Sequence, residues 1–361
     1  MKIIQYCQHV LGIGHLFRSL EISRALAGHE VILVTGGEPV ETPLADHIRE
    51  VRLPGLMMDS EFSRLFPVEP GRSLEAVQAQ RKQQLLELFR VERPDVFLVE
   101  LYPFGRKAFR FELDPVLDAI RSGELPPCRV VCSLRDILVE KSDPASYESR
   151  VIDRLNRYFD RLLIHADPRV MTLGETFSRM GDIKIPVNYT GYVTPRPEPG
   201  SRPKLRRRLG LSSGDRLVVA SAGGGNVGGP LLQAVLMAWS EVGSRPADQL
   251  HVFTGPFLSQ PEFDGLKRLA GEGVTIARFT PDLPSYLAAA DLSVSMAGYN
   301  TSMNILAARV PAMLWPFAQN REQRLRAERL GRLAGLTVLD DRDIAPEPMA
   351  HHLAQALANS Q

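Results

Sequence analysis

The chain has 361 residues, enough for about two domains of ordinary size. Its 44% hydrophobic and 24% charged residues suit a globular protein, and 43 Lys plus Arg against 42 Asp plus Glu leave no global field to draw nucleic acid. Cys7, Cys128 and Cys132 are odd in number and lack C-x-x-C spacing, which argues for a reducing compartment and against a zinc site, while no apolar run approaches the roughly 20 residues of a membrane span.

Met1 and Lys2 lead straight into a strand-like run at 3–6, so no signal peptide is expected. Gly12, Ile13, Gly14 and His15 follow, and then an amphipathic helical segment. Further strand-like runs at 31–35, 96–99, 130–133 and 162–165 alternate with helical ones, without period-2 alternation, as parallel strands buried on both faces require. Between them, Leu56, Met57, Met58, Phe62 and Phe66 either form a pocket for a greasy acceptor or pack on their own domain. Residues 194–203 hold four prolines in ten positions, a composition expected for a linker rather than a helix. The basic run Lys204, Arg206, Arg207 and Arg208 then reads as a solvated helix face. The second half repeats the rhythm at 217–222, 250–254, 274–279, 292–296 and 312–316. The fold class is thus α/β, with two doubly wound domains, 1–193 and 204–346, and ligands expected at the C-terminal ends of their strands. A final helical segment lies within 347–361.

Two glycine-bearing turns in the second half fit a diphosphate. Residues 221–230, from Ser221 through Gly223, Gly224, Gly225 and Asn226 to Pro230, satisfy G-x-G-x-x-G. The next strand ends at Thr254 without the acid that a dinucleotide ribose needs, and no Gly-Lys-[Ser/Thr] makes a P-loop, so NAD and a Walker site are disfavoured. Within 291–327, Gly298 permits a tight turn and Asn300 is placed as the N-cap of a helix beginning near Thr301. Tyr299, Asn300, Thr301 and Ser302 would set the positive end of that helix against an anion. The following strand delivers Asn320, Glu322 and Gln323 to the same rim.

Gly298, Thr301, Asn304, Gln323 and Ala327 resemble the G-x-x-T-x-x-E loop-helix and Q-x-x-x-A helix of GT-B glycosyltransferases, in the branch containing the peptidoglycan N-acetylglucosaminyltransferase and its family 28 type of C-terminal domain. The Gly12-Ile13-Gly14-His15 turn is similar to the acceptor-side loop of that branch. Segments at 93–99, 103–105, 134–137 and 298–301 resemble a less characterised group of GT-B proteins more closely still. The resemblance implies two facing Rossmann-like domains with a cleft between them, with the last helix in a position to cross back to the first domain. It implies a hexosyltransferase-type glycosyltransferase that moves a sugar from a nucleotide diphosphate donor, UDP-sugar foremost, with inversion and without metal or cofactor. A GT-B epimerase or hydrolase, or a non-catalytic nucleotide-sugar-binding protein, is the alternative. The acceptor would be lipid-linked or a small molecule, and the protein cytoplasmic or peripheral to the inner face of the membrane, without a transmembrane segment.

By the same resemblance His15 is the base for the acceptor hydroxyl, against a role in fixing the turn or binding phosphate. Asp136 is the second candidate base, with Arg135 orienting it or binding an acid, against a structural pair. Gly12 and Gly14 let the acceptor approach. Ser221 to Asn226 and the Gly298 to Ser302 start would hold the diphosphate. The backbone at Phe279 would read the base, unless Phe279 is a core aromatic, and Gln323 would contact the donor sugar. Asn304 stands where the family has a ribose-holding Glu. His9 and His165 are read as structural.

Overall fold

In the computed structural model every residue is described except 11–13, 41, 60–63, 225–226, 243–244, 246, 318, 320 and 360–361. The chain divides into two units, Met1–Val193 and Thr194–Gln361. In the first, apolar runs make β1 (Lys2–Tyr6), β2 (Glu30–Thr35), β3 (Ile48–Arg52), a small antiparallel pair β4 (Leu56–Met58) and β5 (Leu65–Pro67), β6 (Val96–Glu100), β7 (Arg129–Arg135), β8 (Arg161–His165) and β9 (Val187–Tyr189). Helices α1 (Gly14–Ala25), α2 (Leu74–Glu92), α3 (Arg110–Ser122) and α4 (Pro144–Tyr158) pack between them in chain order. Among the described residues, seven strands form one parallel sheet in the order β3-β2-β1-β6-β7-β8-β9. The order reverses between β1 and β6, so the loops after these two strands leave in opposite directions and open a crevice at the C-terminal edge.

The second unit contains α5 (Ser201–Arg208), β10 (Leu217–Ser221), α6 (Gly229–Glu241), β11 (Gln249–Phe253), α7 (Gln260–Leu269), β12 (Val274–Ala277) and α8 (Leu283–Ala289). It continues with β13 (Leu292–Met296), α9 (Tyr299–Ala308), β14 (Ala312–Trp315), α10 (Arg321–Ala334), β15 (Thr337–Val338) and α11 (Pro346–Asn359). The described sheet has six parallel strands in the order β12-β11-β10-β13-β14-β15, with its reversal between β10 and β13. Helix α11, a candidate for crossing back, buries Met349, Leu353 and Leu357 in the second unit's own core and packs against α6.

The polyproline stretch ends earlier than its composition suggests. Gly200, at φ +78°, turns the chain into α5, and Pro203 falls within the first helical turn, where its missing N–H has no intrahelical partner to lose. Arg206 is likewise no part of a solvated face. It is buried, and its guanidinium bonds Ala289 O at 3.1 Å, Asp291 Oδ2 at 3.1 Å and Ser212 O at 2.9 Å. In the apolar loop, Leu56 packs in the core while Phe66 remains exposed, and Phe62 lies outside the described residues. No described helix is long and apolar enough to cross a membrane.

A buried charge cluster fixes the C-terminal edge of the first sheet. Arg81 of α2 is fully buried and donates from Nε and Nη2 to the Glu112 carboxylate of α3 at 2.8 and 2.6 Å. Its remaining donors reach Gln8 Oε1 at 2.9 Å, Gly36 O at 3.1 Å and Pro54 O at 2.7 Å, residues that follow β1, β2 and β3. Tyr6 donates its hydroxyl to Glu112 as well. Gly36 has to be glycine, since a Cβ there would stand 2.2 Å from Arg81 Nη1. Arg81→Met leaves the Glu112 charge buried without its cation, and its expected cost is about 3–5 kcal/mol. Urea unfolding followed by circular dichroism measures that loss; a loss under about 1 kcal/mol would show that the cluster does not hold the edge.

Candidate active site

At the reversal of the first sheet, a histidine meets a carboxylate. Helix α1 starts at Gly14 and places His15 in its first turn, above the end of β6, where Glu100 closes an otherwise apolar strand. His15 Nδ1 lies 2.6 Å from Glu100 Oε1. Arg18, one turn further along α1, donates Nη2 to the same oxygen at 2.6 Å. Arg106 brings Nε to 3.7 Å from Glu100 Oε2. Leu101 and Arg106, at φ +66° and +58°, bend the loop after β6 through a left-handed conformation that costs non-glycine residues of order 1–3 kcal/mol. The strain is tolerated where it holds Arg106 over the carboxylate.

These charges set the protonation of the pair. Burial alone would raise the Glu100 carboxyl, but His15, Arg18 and Arg106 outweigh it and hold the group far below the usual carboxylate range. An ionised carboxylate cannot donate, so the proton in the 2.6 Å contact belongs to His15 Nδ1, and Arg18 Nη2, 3.0 Å from that nitrogen, directs its hydrogen to Glu100 Oε1 at 2.6 Å. The lone pair is then on Nε2. Burial pushes His15 down to about 4, against the opposing pull of Glu100, with Arg106 and Arg18 adding to the fall. The ring still exposes 27% of its side chain, so it is neutral at pH 7 and reachable.

Other expected residues fall differently. Gly14 opens α1, while Gly12 and Ile13 lie outside the described residues. Asp136 is fully buried, with Oδ1 accepting from Ile137 N at 2.9 Å in the turn after β7. Arg135 ends β7, half-buried. His165 is structural, its ring bridging Ser133 Oγ at 2.7 Å and Thr190 Oγ1 at 2.8 Å, and burial pushes it down to about 3.

In the second unit, the loops at the β10/β13 reversal come together. Ser221 Oγ accepts from Gly223 N at 3.2 Å, and Gly223 needs its lack of a side chain, at φ +65°. A Cβ on Gly223 would stand 3.6 Å from Thr301 Oγ1, so the loop after β10 lies against the first turn of α9. Gly224 O accepts from Phe257 N at 3.1 Å; Gly225 and Asn226 lie outside the described residues. The N-cap of α9 is Gly298, not Asn300, and the helix begins at Tyr299. Gly298 adopts φ −66° and ψ 154°, which any residue allows, so the turn does not require glycine. A Cβ there would meet nothing within 4 Å among the described residues, which leaves space for a ligand to approach the start of the helix.

Beneath this loop, Arg326 of α10 is fully buried, bonds Glu322 Oε2 at 2.9 Å and Ala297 O at 3.3 Å, and stacks over the Tyr299 ring. Ser302 is buried with no hydrogen-bond partner for Oγ among the described residues. Asn304 is half-buried, its Oδ1 accepting from Thr194 Oγ1 at 2.6 Å. Gln323 Oε1 accepts from Phe317 N at 3.1 Å, while Asn320 is not described. Phe279 is no core aromatic: β12 ends at Ala277, and the ring is 47% exposed. Sequence reasoning missed Glu100, Arg18, Arg106 and Arg326. Only Glu100 left a signal, as the one charged residue ending the apolar run 96–99.

Residues 224–361 match the glycosyltransferase family 28 C-terminal domain. Over 171 residues the chain is 29% identical to the UDP-N-acetylglucosamine--N-acetylmuramyl-(pentapeptide) pyrophosphoryl-undecaprenol N-acetylglucosamine transferase of Carboxydothermus hydrogenoformans, covering 45% of this chain and 44% of that one. The enzyme of the same name from Bacillus subtilis is 27% identical over 156 residues, 42% of each chain. The chain thus spans less than half the length of these curated relatives. Whole-chain likeness extends to the spinosyn forosaminyltransferase SpnP, with TM-score 0.65 and 14% identity over 99% of this chain and 91% of that one. MurG of Acinetobacter baumannii follows with TM-score 0.56 and 14% identity, over 100% and 92%. The fold is that of the GT-B glycosyltransferases, built from two Rossmann-like α/β domains.

Both His15 and His165 are neutral in the folded protein and protonate near 6.5 once unfolded, so the unfolded chain binds more protons below that pH. Their stabilisation is complete above pH 6.5 and is lost as pH falls toward about 4 for His15 and about 3 for His165. Each contributes a slope of up to about 1.4 kcal/mol per pH unit within its window. Denaturation midpoints between pH 7 and 4 should fall less steeply for His165→Gln than for the native chain; parallel slopes would contradict the buried neutral ring.

Proposed function

We propose that the protein is a glycosyltransferase that moves a sugar from a nucleoside diphosphate donor, held at the β10/β13 edge, to an acceptor hydroxyl deprotonated by His15. The observation that carries this reading is His15 Nδ1 at 2.6 Å from the ionised Glu100, which leaves the lone pair of a neutral base on Nε2 of a ring whose side chain is 27% exposed. The match of residues 224–361 supports the donor half.

The step balances without further reagents. The acceptor oxygen attacks the anomeric carbon as its proton passes to His15 Nε2, and the bond from that carbon to the diphosphate breaks with its electron pair leaving on phosphate. Attack opposite the leaving group inverts the anomeric centre. Glu100, already bonded to Nδ1, stabilises the imidazolium that forms, and Arg18 keeps the carboxylate in place. Charge on the departing diphosphate is met by the start of α9 and the Gly223–Gly224 backbone.

The names of the curated relatives specify a UDP-sugar donor and an undecaprenol-linked acceptor. UDP-sugar is accordingly the favoured donor here, with a lipid-linked acceptor met at the cytoplasmic face of the membrane as the favoured setting.

His15→Ala is expected to lower turnover by roughly 10² to 10⁴ while leaving donor affinity unchanged, and Glu100→Gln to act in the same direction. Steady-state kinetics with titration calorimetry separates the two quantities. Weakened donor binding at unchanged turnover would assign His15 to binding. Product analysis with a labelled donor tests the reaction class: acceptor-dependent label is expected, and acceptor-free isomerisation or sugar release would replace transfer by epimerase or hydrolase chemistry.

A further inference from the structure

Two arginines face one carboxylate in the first unit, and they do so differently. Arg18 of α1 donates Nη2 to Glu100 Oε1 at 2.6 Å and passes 3.0 Å from His15 Nδ1. Arg106 stops 3.7 Å from Glu100 Oε2, beyond the roughly 3.2 Å reach of an N–H···O bond. Its Nε and Nη2 are buried and without hydrogen-bond partners among the described residues, as is Glu100 Oε2. A cation is thus held beside the pair in a left-handed loop, at φ +58°, yet makes no bond to it. What such a group contributes is its charge, which is weakly screened in a buried setting. The effects of the two cations separate accordingly. Burial is the first cause of the fall of His15 to about 4, and of the two cations Arg106 adds more to it than Arg18. On Glu100, where burial opposes the fall and His15 leads it, Arg18 outweighs Arg106. The other titratable neighbours are neutral at pH 7: burial pushes the Cys7 thiol up and the His9 and His165 rings down.

We infer that Arg106 is a positioning residue that acts on His15 through space, keeping a proton off the ring before transfer and driving it off afterwards. This rests on the reading of His15 as the transfer base. Arg18 does the other part of the work by placing the carboxylate that orients the ring. After transfer the acceptor's proton is on Nε2. That N–H bond then breaks with its electron pair staying on nitrogen, and the proton passes to solvent water, which reaches a ring 27% exposed. A second cation beside the imidazolium makes His15 a weaker base and a quicker one to reset, because it raises the energy of the protonated form.

Histidine ring Cε1 resonances of the full chain, followed by NMR against pH, test this, with the rings assigned from His9→Gln, His15→Gln and His165→Gln. In Arg106→Met the protonation midpoint of His15 should rise by about one pH unit, a roughly tenfold gain in proton affinity. His9, on which Arg106 also bears, should rise with it, while His165, which feels Arg18 and Glu100 instead, should stay. Arg106→Lys keeps the charge and should titrate close to the native chain. Arg18→Met should raise His165, and His15 by less than Arg106→Met does. If circular dichroism shows Arg106→Met unfolded, Arg106→Gln carries the same expectation. An unchanged His15 midpoint without the Arg106 charge, or a larger rise in Arg18→Met, would overturn the inference. A common shift of all three rings would overturn it too, by reducing Arg106 to a structural role. The acid limb of turnover should move up together with the His15 midpoint. A moved midpoint with a fixed limb would instead remove the reading of His15 as the base, and the inference with it.

Discussion

Reversal of strand order is the constraint on which both units depend. A parallel sheet has to send each connection back along its face, and where the direction of winding changes, two neighbouring strands release their loops to opposite sides. In the first unit that pair is β1 and β6, and in the second β10 and β13. His15 and Glu100 are the side chains released at the first reversal, and Gly223 and the start of α9 the backbone released at the second. Two reversals of the same kind thus present different chemistry, a titratable pair in one unit and helix-start backbone in the other.

Buried arginines hold each edge in place. Arg81 ties the segments after β1, β2 and β3 to Glu112. Arg18 and Arg106 face Glu100, and Arg326 supports the turn before α9. In every case the guanidinium meets a carboxylate, because an unpaired charge in so dry a setting would be costly. At Glu100 the pairing also has a chemical consequence. Two cations keep the carboxylate ionised, and the ionised carboxylate fixes the tautomer of His15.

Much of this was legible in sequence. The central strands are continuous apolar runs, and the glycine turns after β10 and β13 stand at the strand ends where their spacing puts them. The edge strands β3 and β9 were not legible, because they are short and half-exposed and mix charge with apolar residues. Asn300 looked like the N-cap from residue preference alone, yet Gly298 takes that place and Tyr299 enters the helix with its ring buried over Arg326. Glu100 matters through a partner 85 positions away, and single-sequence periodicity carries no information about such pairs.

The measurement that bears most directly on the account is amide hydrogen exchange of the full chain with and without UDP. Protection by bound nucleotide is expected in two separate segments, 222–224 and 297–302, with the first-unit segment around His15 unchanged until an acceptor is added. Saturating UDP that protects neither segment, or only segments of the first unit, would contradict the placement of the donor at the β10/β13 edge.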